Sequence, residues 1–138
     1  MSRLISFAAC ALASLALAGS AFAHHGPASL GTVRITQSVM VGGTTLQPGT
    51  YELRDTGQHG TPLPGQSADA QAWVEFMQNG MVVAKDLAEL MTPEGTTVGT
   101  SGGRTTRPKL EQLKGGDFLR ISGYHDGERY LIHMAVAH

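Results

Sequence analysis

Beyond residue 30 apolar and polar residues alternate with a period of two, and pairs of residues that tolerate positive φ stand between the alternating runs. This pattern constrains the fold more than any other feature of the chain. Side chains of a strand point alternately to its two faces, so a period of two puts one apolar face on each run. In "AWVEFMQNGMVVAKDLAEL" two apolar runs flank Asn79-Gly80. Both residues accept positive φ, as a two-residue type I′ hairpin turn requires. Val74 and Phe76 share one face of the first arm, Trp73 and Met77 the other. Apolar side chains on both faces predict a central strand, with Trp73 packed in the core.

A second hairpin closes the chain: "FLRISGY", then Asp126-Gly127, then "RYLIHMAV". Tyr130, Ile132, Met134 and Val136 share a face, with Leu131 and His133 opposite. Upstream, "TVRITQSVMV" reads as one half-buried strand with Val33, Ile35, Val39 and Val41 inward, and Gln37 interrupting that face. Gly42-Gly43 and Pro48-Gly49 punctuate a strand-turn-strand unit that ends in "TYELR". Residues 56–70 read as a loop, because three glycines and two prolines leave no room for a regular element. Residues 92–108 read as a Gly/Thr-rich stretch with one short strand near 96–100. "KLEQL" at 109–113 fits a short strand or a helical turn, with the strand preferred. No helical period is sustained past the first residues. Six to eight short strands with hairpin turns predict an all-β fold, an antiparallel β-sandwich, with a small β-barrel as the alternative.

The first 23 residues have a different character. Arg3 precedes the apolar run "LISFAACALASLALAG", and "AFA" at 21–23 fits the small-x-small rule of signal peptidase. The run is shorter than the ~20 apolar residues of a membrane span. The expected organisation is a signal peptide over 1–23 and a single all-β domain over 24–138, secreted or periplasmic, with no stable membrane anchor after cleavage. Cys10, the only cysteine, leaves with the leader. The mature domain is then held by its core without a disulfide. Losing Arg3 leaves nine basic residues against eleven acidic ones. No basic stripe is visible along the chain, so nucleic acid is not an expected partner.

Over 41–54, "VGGTTLQPGTYELR" resembles a unit of small uncharacterised secreted bacterial proteins, V-G-G-x-x-L-x-x-G-x-Y-x-L/V behind an export signal. Val74, Phe76, Gly80, Val82, Val83 and Ala84 match that family's V-x-F-x-x-x-G-x-V-V-A hairpin, and Phe118 to Met134 match its closing strand pair. The resemblance implies an exported all-β domain. It supplies no catalytic residues. The long 56–70 loop and the Gly-rich 95–103 loop depart from its pattern.

The sharpest chemical feature is His24-His25, directly behind Ala23. Cleavage after Ala23 makes His24 the first residue, with its α-amine beside its own ring. An N-terminal histidine chelates Cu(II) through the amine and Nδ1, and a second imidazole completes a T-shaped site resembling the histidine brace of copper proteins. Nitrogen ligands of this kind suit Cu(II). His24 and His25 are the expected metal ligands: His25 is too close in sequence to be the usual opposing ligand of a brace, though it could chelate in another geometry, and a distant partner would be His59, His125, His133 or His138, among which spacing does not choose. The alternative reading of His24 and His25 is a polar exit from the leader. Met40, Met77, Met81, Met91 and Met134 lack the clustered spacing of a Cu(I) site and read as packing residues. His59, Asp86 and Ser101 occur in the chain order of a trypsin-like protease, with "GTSGG" at 99–103. One small domain cannot hold such a triad between two barrels, and the nucleophile motif is incomplete. No phosphate-binding loop, dinucleotide fingerprint or zinc-protease helix is present. The expected role is a binding or interaction module with a protein or small-molecule partner, not an enzyme. A periplasmic copper-binding protein is the alternative.

Overall fold

The computed structural model describes residues 27–91 and 104–138. The expected leader (1–23, with Cys10), His24, His25, the short strand expected near 96–100 and Ser101 lie outside the described residues. Among those described the protein is all-β and antiparallel, with 65% of residues in strands and no helix. No helix there is long and apolar enough to cross a membrane.

Among the described residues nine strands form one continuous sheet: β1 (Ala28–Ile35), β2 (Val39–Val41), β3 (Thr44–Leu46), β4 (Gly49–His59), β5 (Gln71–Gln78), β6 (Met81–Met91), β7 (Lys109–Gln112), β8 (Phe118–His125) and β9 (Glu128–Val136). The main path runs β1-β4-β5-β6-β9-β2-β3, and β8 carries β7 along the other edge of β9. All ladders are antiparallel.

Both two-residue turns form where the dipeptides stand. Asn79 and Gly80 adopt φ of 53° and 76°, and Asp126 and Gly127 adopt 48° and 85°. A third such turn joins β2 to β3 through Gly42 and Gly43, at 54° and 83°. The strand expected over "TVRITQSVMV" is broken in two at 36–38, and the described residues alone hold nine strands where six to eight were expected. Its inward residues Val33, Ile35, Val39 and Val41 are all buried nonetheless.

The predicted loop at 56–70 starts too early, because β4 continues through His59. Gly57, at φ +73°, is absorbed as an irregularity in the β4–β5 ladder instead of ending it. The Asp55 carboxylate accepts the Gly57 N–H at 2.8 Å, and the Thr56 hydroxyl donates to the Trp73 carbonyl at 3.0 Å. Side chains thus supply the bonds that the ladder drops at that point. Trp73 is not a core residue. It is half-buried on the outer face, with the Lys85 ammonium 5.0 Å from its ring centroid.

One core cluster draws on eight of the nine strands, from Leu30 and Val33 in β1 to Ile132 and Met134 in β9. A single sheet can bury one face against itself only by curling. Curling brings Gly31 of β1 against Pro108 at the head of β7, where a Cβ on Gly31 would lie 2.9 Å from the proline ring. No ladder joins these two strands, so the barrel alternative is not met. Pro108 has no N–H to donate, and β1 is irregular between Ser29 and Gly31. Both features disable backbone pairing where the two edges meet.

Candidate functional site

The curled sheet has two notable concavities. The first opens at the end where β1 begins. Leu30, Val74, Ala88 and Leu90 give it apolar walls, and Asp55, His59, His125, Glu128 and Tyr130 give it polar groups. Antiparallel pairing assembles it: Ala28 lies opposite Asp55, His59 opposite Ala72, and the Asp126-Gly127 turn places His125 beside Glu128. His59 Nδ1 lies 3.2 Å from the Gln71 carbonyl and therefore carries the proton there, and its Nε2 faces Asp69 at 3.8 Å. His125 Nε2 lies 3.5 Å from the Asp126 carboxylate. The Nδ1 of His125 and the hydroxyl of Tyr130 are buried without a protein hydrogen-bond partner. Burial pushes the Tyr130 phenol up to about 12. Residue 123 must be glycine to seat this ring, since a Cβ there would fall 2.4 Å from the Tyr130 oxygen.

The enclosed space measures about 40 Å³. A water needs roughly 10–15 Å³, so the cavity has room for about three waters. Organic-ligand pockets are typically about 300–1,000 Å³. No group of three or more His, Cys, Asp or Glu residues is placed to hold a metal ion among the described residues.

The second concavity is an open trough of about 450 Å³ on the outer face of β7, β8 and β9. Arg104, Arg107, Lys109 and Arg129 line it with one carboxylate, Glu111. Alternation explains the set. Leu119 and Ile121 of β8 point into the core, so Arg120, Ser122 and Tyr124 point out. Across the ladders Lys109 meets Ser122, Glu111 meets Arg120, and Tyr124 meets Arg129. Residues 104–106 run beside the end of β8, where the Thr106 N–H donates to the Tyr124 carbonyl at 2.9 Å. The Arg104 guanidinium lies 4.7 Å from the Tyr124 ring centroid. Glu111 is shared: it accepts from Arg120 at 2.8 Å and pairs with Lys109 at 3.2 Å. The Arg120 bond first, and the Lys109 contact second, hold its carboxyl below the usual range. Arg104, Arg107 and Arg129 have no carboxylate partner among the described residues.

The structure brings His59 and His125 to one cavity. It sends His133 to the outer face beside Arg120, and leaves His138 at the chain end. Asp86 does not orient His59. Its carboxylate accepts the N–H groups of Gly42, at 3.2 Å, and Leu87, at 2.8 Å, and ties the β2–β3 hairpin to β6. Sequence reasoning missed the trough, because its cations are scattered over 104–129 and only strand pairing gathers them. The available signal was that six of the ten Lys and Arg residues fall in that fifth of the chain. No family model matches the chain, and neither a curated protein nor a solved structure does.

Proposed function

We propose that the protein is an exported all-β binding module, not an enzyme, and that its ligand surface is the outer trough of β7, β8 and β9. The observation that carries this reading is a concave surface with four cationic side chains around one neutralised carboxylate, in a chain of formal net charge −1. Charge concentrated against the overall balance is a recognition feature more than a solubility feature. Two backbone ladders hold the strands that bear the trough. The same proposal takes the curled sheet as a sandwich: β1, β4, β5 and most of β6 face β7, β8, β9, β2 and β3 across the core. In its support, the β6–β9 ladder that joins the halves spans only Glu89–Met91. The leader and the resemblance to small secreted proteins support export.

The test has two arms. Mass spectrometry of the chain recovered from its native host is expected to find residues 24–138 outside the cytoplasm. Amide spectra of that mature chain, taken before and after addition of anionic polymers, are expected to shift within 104–129. An uncleaved cytoplasmic chain would overturn export, and an unperturbed spectrum would overturn the binding surface.

The copper reading keeps one specific support. The chain enters β1 opposite Asp55, which lines the cavity that holds His59 and His125, and His24 stands only three residues before Pro27. Three residues of extended chain span roughly 10 Å. On this reading Cu(II) binds one-to-one to the mature chain, and His24→Ala abolishes binding while His125→Ala weakens it. Isothermal titration decides: uptake indifferent to His24 would end the copper reading.

A further inference from the structure

We infer that the trough binds an acidic polysaccharide, a soluble chain of sugars bearing carboxylate or sulfate groups. The inference rests on the binding-module reading and names its ligand class. Arginine forks match oxyanions bidentately, and three of the four cations here are arginines. Arg107 and Arg129 have no competing carboxylate among the described residues, so neither has to leave an internal ion pair to bind a ligand, whereas Lys109 is paired with Glu111 at 3.2 Å. Glu111 does not repel an anion at full strength, because Arg120 and Lys109 already share it.

The cations sit in two rows. Lys109 lies across from Ser122, and Arg129 across from Tyr124, two residues further along β8. Because β7 and β9 flank β8 on opposite sides, two strand spacings and two residues of rise put these two backbone positions about 12 Å apart. A single small oxyanion cannot engage both rows, but a polymer with an anionic group on successive units can. Between the rows the floor is Ser122 and Gly123, small enough to leave the depression open, and Ser122 offers a hydroxyl to a sugar.

The same lining argues against two other polyanions. Nucleic-acid single strands need aromatic platforms for their bases. Among the described residues the only aromatic side chain lining the trough is Tyr124, and Arg104 covers one of its faces. A membrane surface is gripped by apolar side chains beside the basic ones. Among the described residues the lining holds no aliphatic side chain.

The test uses the mature, untagged chain and isothermal titration with polygalacturonate, heparin, neutral dextran, inorganic phosphate, single-stranded DNA and anionic phospholipid vesicles. Binding of one or both acidic polysaccharides is expected, with none to dextran and only weak binding to phosphate; polygalacturonate against heparin, which carries carboxylates and sulfates together, tells whether sulfate adds affinity. Arg107→Gln with Arg129→Gln should weaken binding about tenfold or more, the scale of lost charge-assisted hydrogen bonds. Arg34→Gln with Lys114→Gln removes the same net charge away from the trough and should change affinity less than about twofold, the scale of long-range charge screened by salt. Glu111→Gln should tighten binding. Amide shifts in the unmodified chain should centre on Lys109, Ser122 to Tyr124 and Arg129, which settles the location even if a variant fails to fold. Equal losses in the two double variants, shifts centred elsewhere, or tighter binding to DNA or vesicles than to either acidic polysaccharide would overturn the inference. Failure of these titrations with a correctly exported chain removes the ligand class and leaves export standing. An uncleaved chain retained in the cytoplasm removes the exported role itself.

Discussion

Tyr130 shows how a single residue joins core and cavity. Its ring is 3% exposed, and its hydroxyl has no protein partner. The folded chain resists ionising this phenol, which burial pushes from 10.0 up to about 12. Between those values the unfolded chain releases a proton that the folded chain keeps. Stability therefore falls as pH rises through that window, and the contribution is constant below it. Tyr130→Phe removes the dependence. Urea unfolding at pH 7, 10 and 11 is expected to show a shallower alkaline loss in the variant. At pH 7 the variant should lie within about 1 kcal/mol of the parent, because no protein hydrogen bond is lost. Parallel curves for parent and variant would refute the assignment.

Among elements, the β2–β3 hairpin is the informative one. Its two turn glycines are alike in sequence and unlike in space. A Cβ on Gly43 meets nothing within 4 Å, whereas a Cβ on Gly42 would fall 1.9 Å from the Lys85 carbonyl oxygen. Gly43→Ala should cost only left-handed backbone strain, about 1–2 kcal/mol. Gly42→Ala should cost a further ~1–3 kcal/mol, because the hairpin must lift off β6. Thermal unfolding of the two variants checks the order, and equal losses would mean that the close approach is not made. The Asp86 carboxylate, bonded to the Gly42 N–H, holds the same contact. Asp86→Ala should therefore cost about 1–2 kcal/mol, the range of a lost hydrogen bond and the donor left behind. Faster hydrogen exchange at Gly42 should accompany it. Unaltered exchange there would put the anchor elsewhere. The glycine pair was legible as a turn, but the approach to β6 was not, since it joins positions more than forty residues apart.

At the scale of the whole molecule, the seam between β1 and β7 decides the architecture. Gly31, at φ +109°, lets Pro108 pack against it without a Cβ between them. Gly31→Ala should destabilise the fold more than Gly65→Ala. Gly65 shares the positive φ, at +83°, but has open space around it. Urea unfolding measures the difference, and equal effects would show that the seam carries no packing energy. The seam also limits what sequence could say about shape. Alternation tells each strand which face is apolar, but not whether the outermost strands will pair. That depends on a proline and an irregular glycine meeting across the fold.

Local chemistry was readable wherever neighbours in sequence supply the whole cause. The hairpins at Asn79-Gly80 and Asp126-Gly127, the inward faces of β5 and β9, and the all-β character follow from side-chain period and positive φ alone. Tertiary structure decided the rest. It absorbed Gly57 into β4, turned Trp73 outward beneath Lys85, separated Asp86 from His59, and drew Arg104, Arg107, Lys109 and Arg129 to one trough. The physical reason is the same in each case: which strands lie side by side is set by burying one apolar face over the entire sheet, and that energy belongs to no single segment.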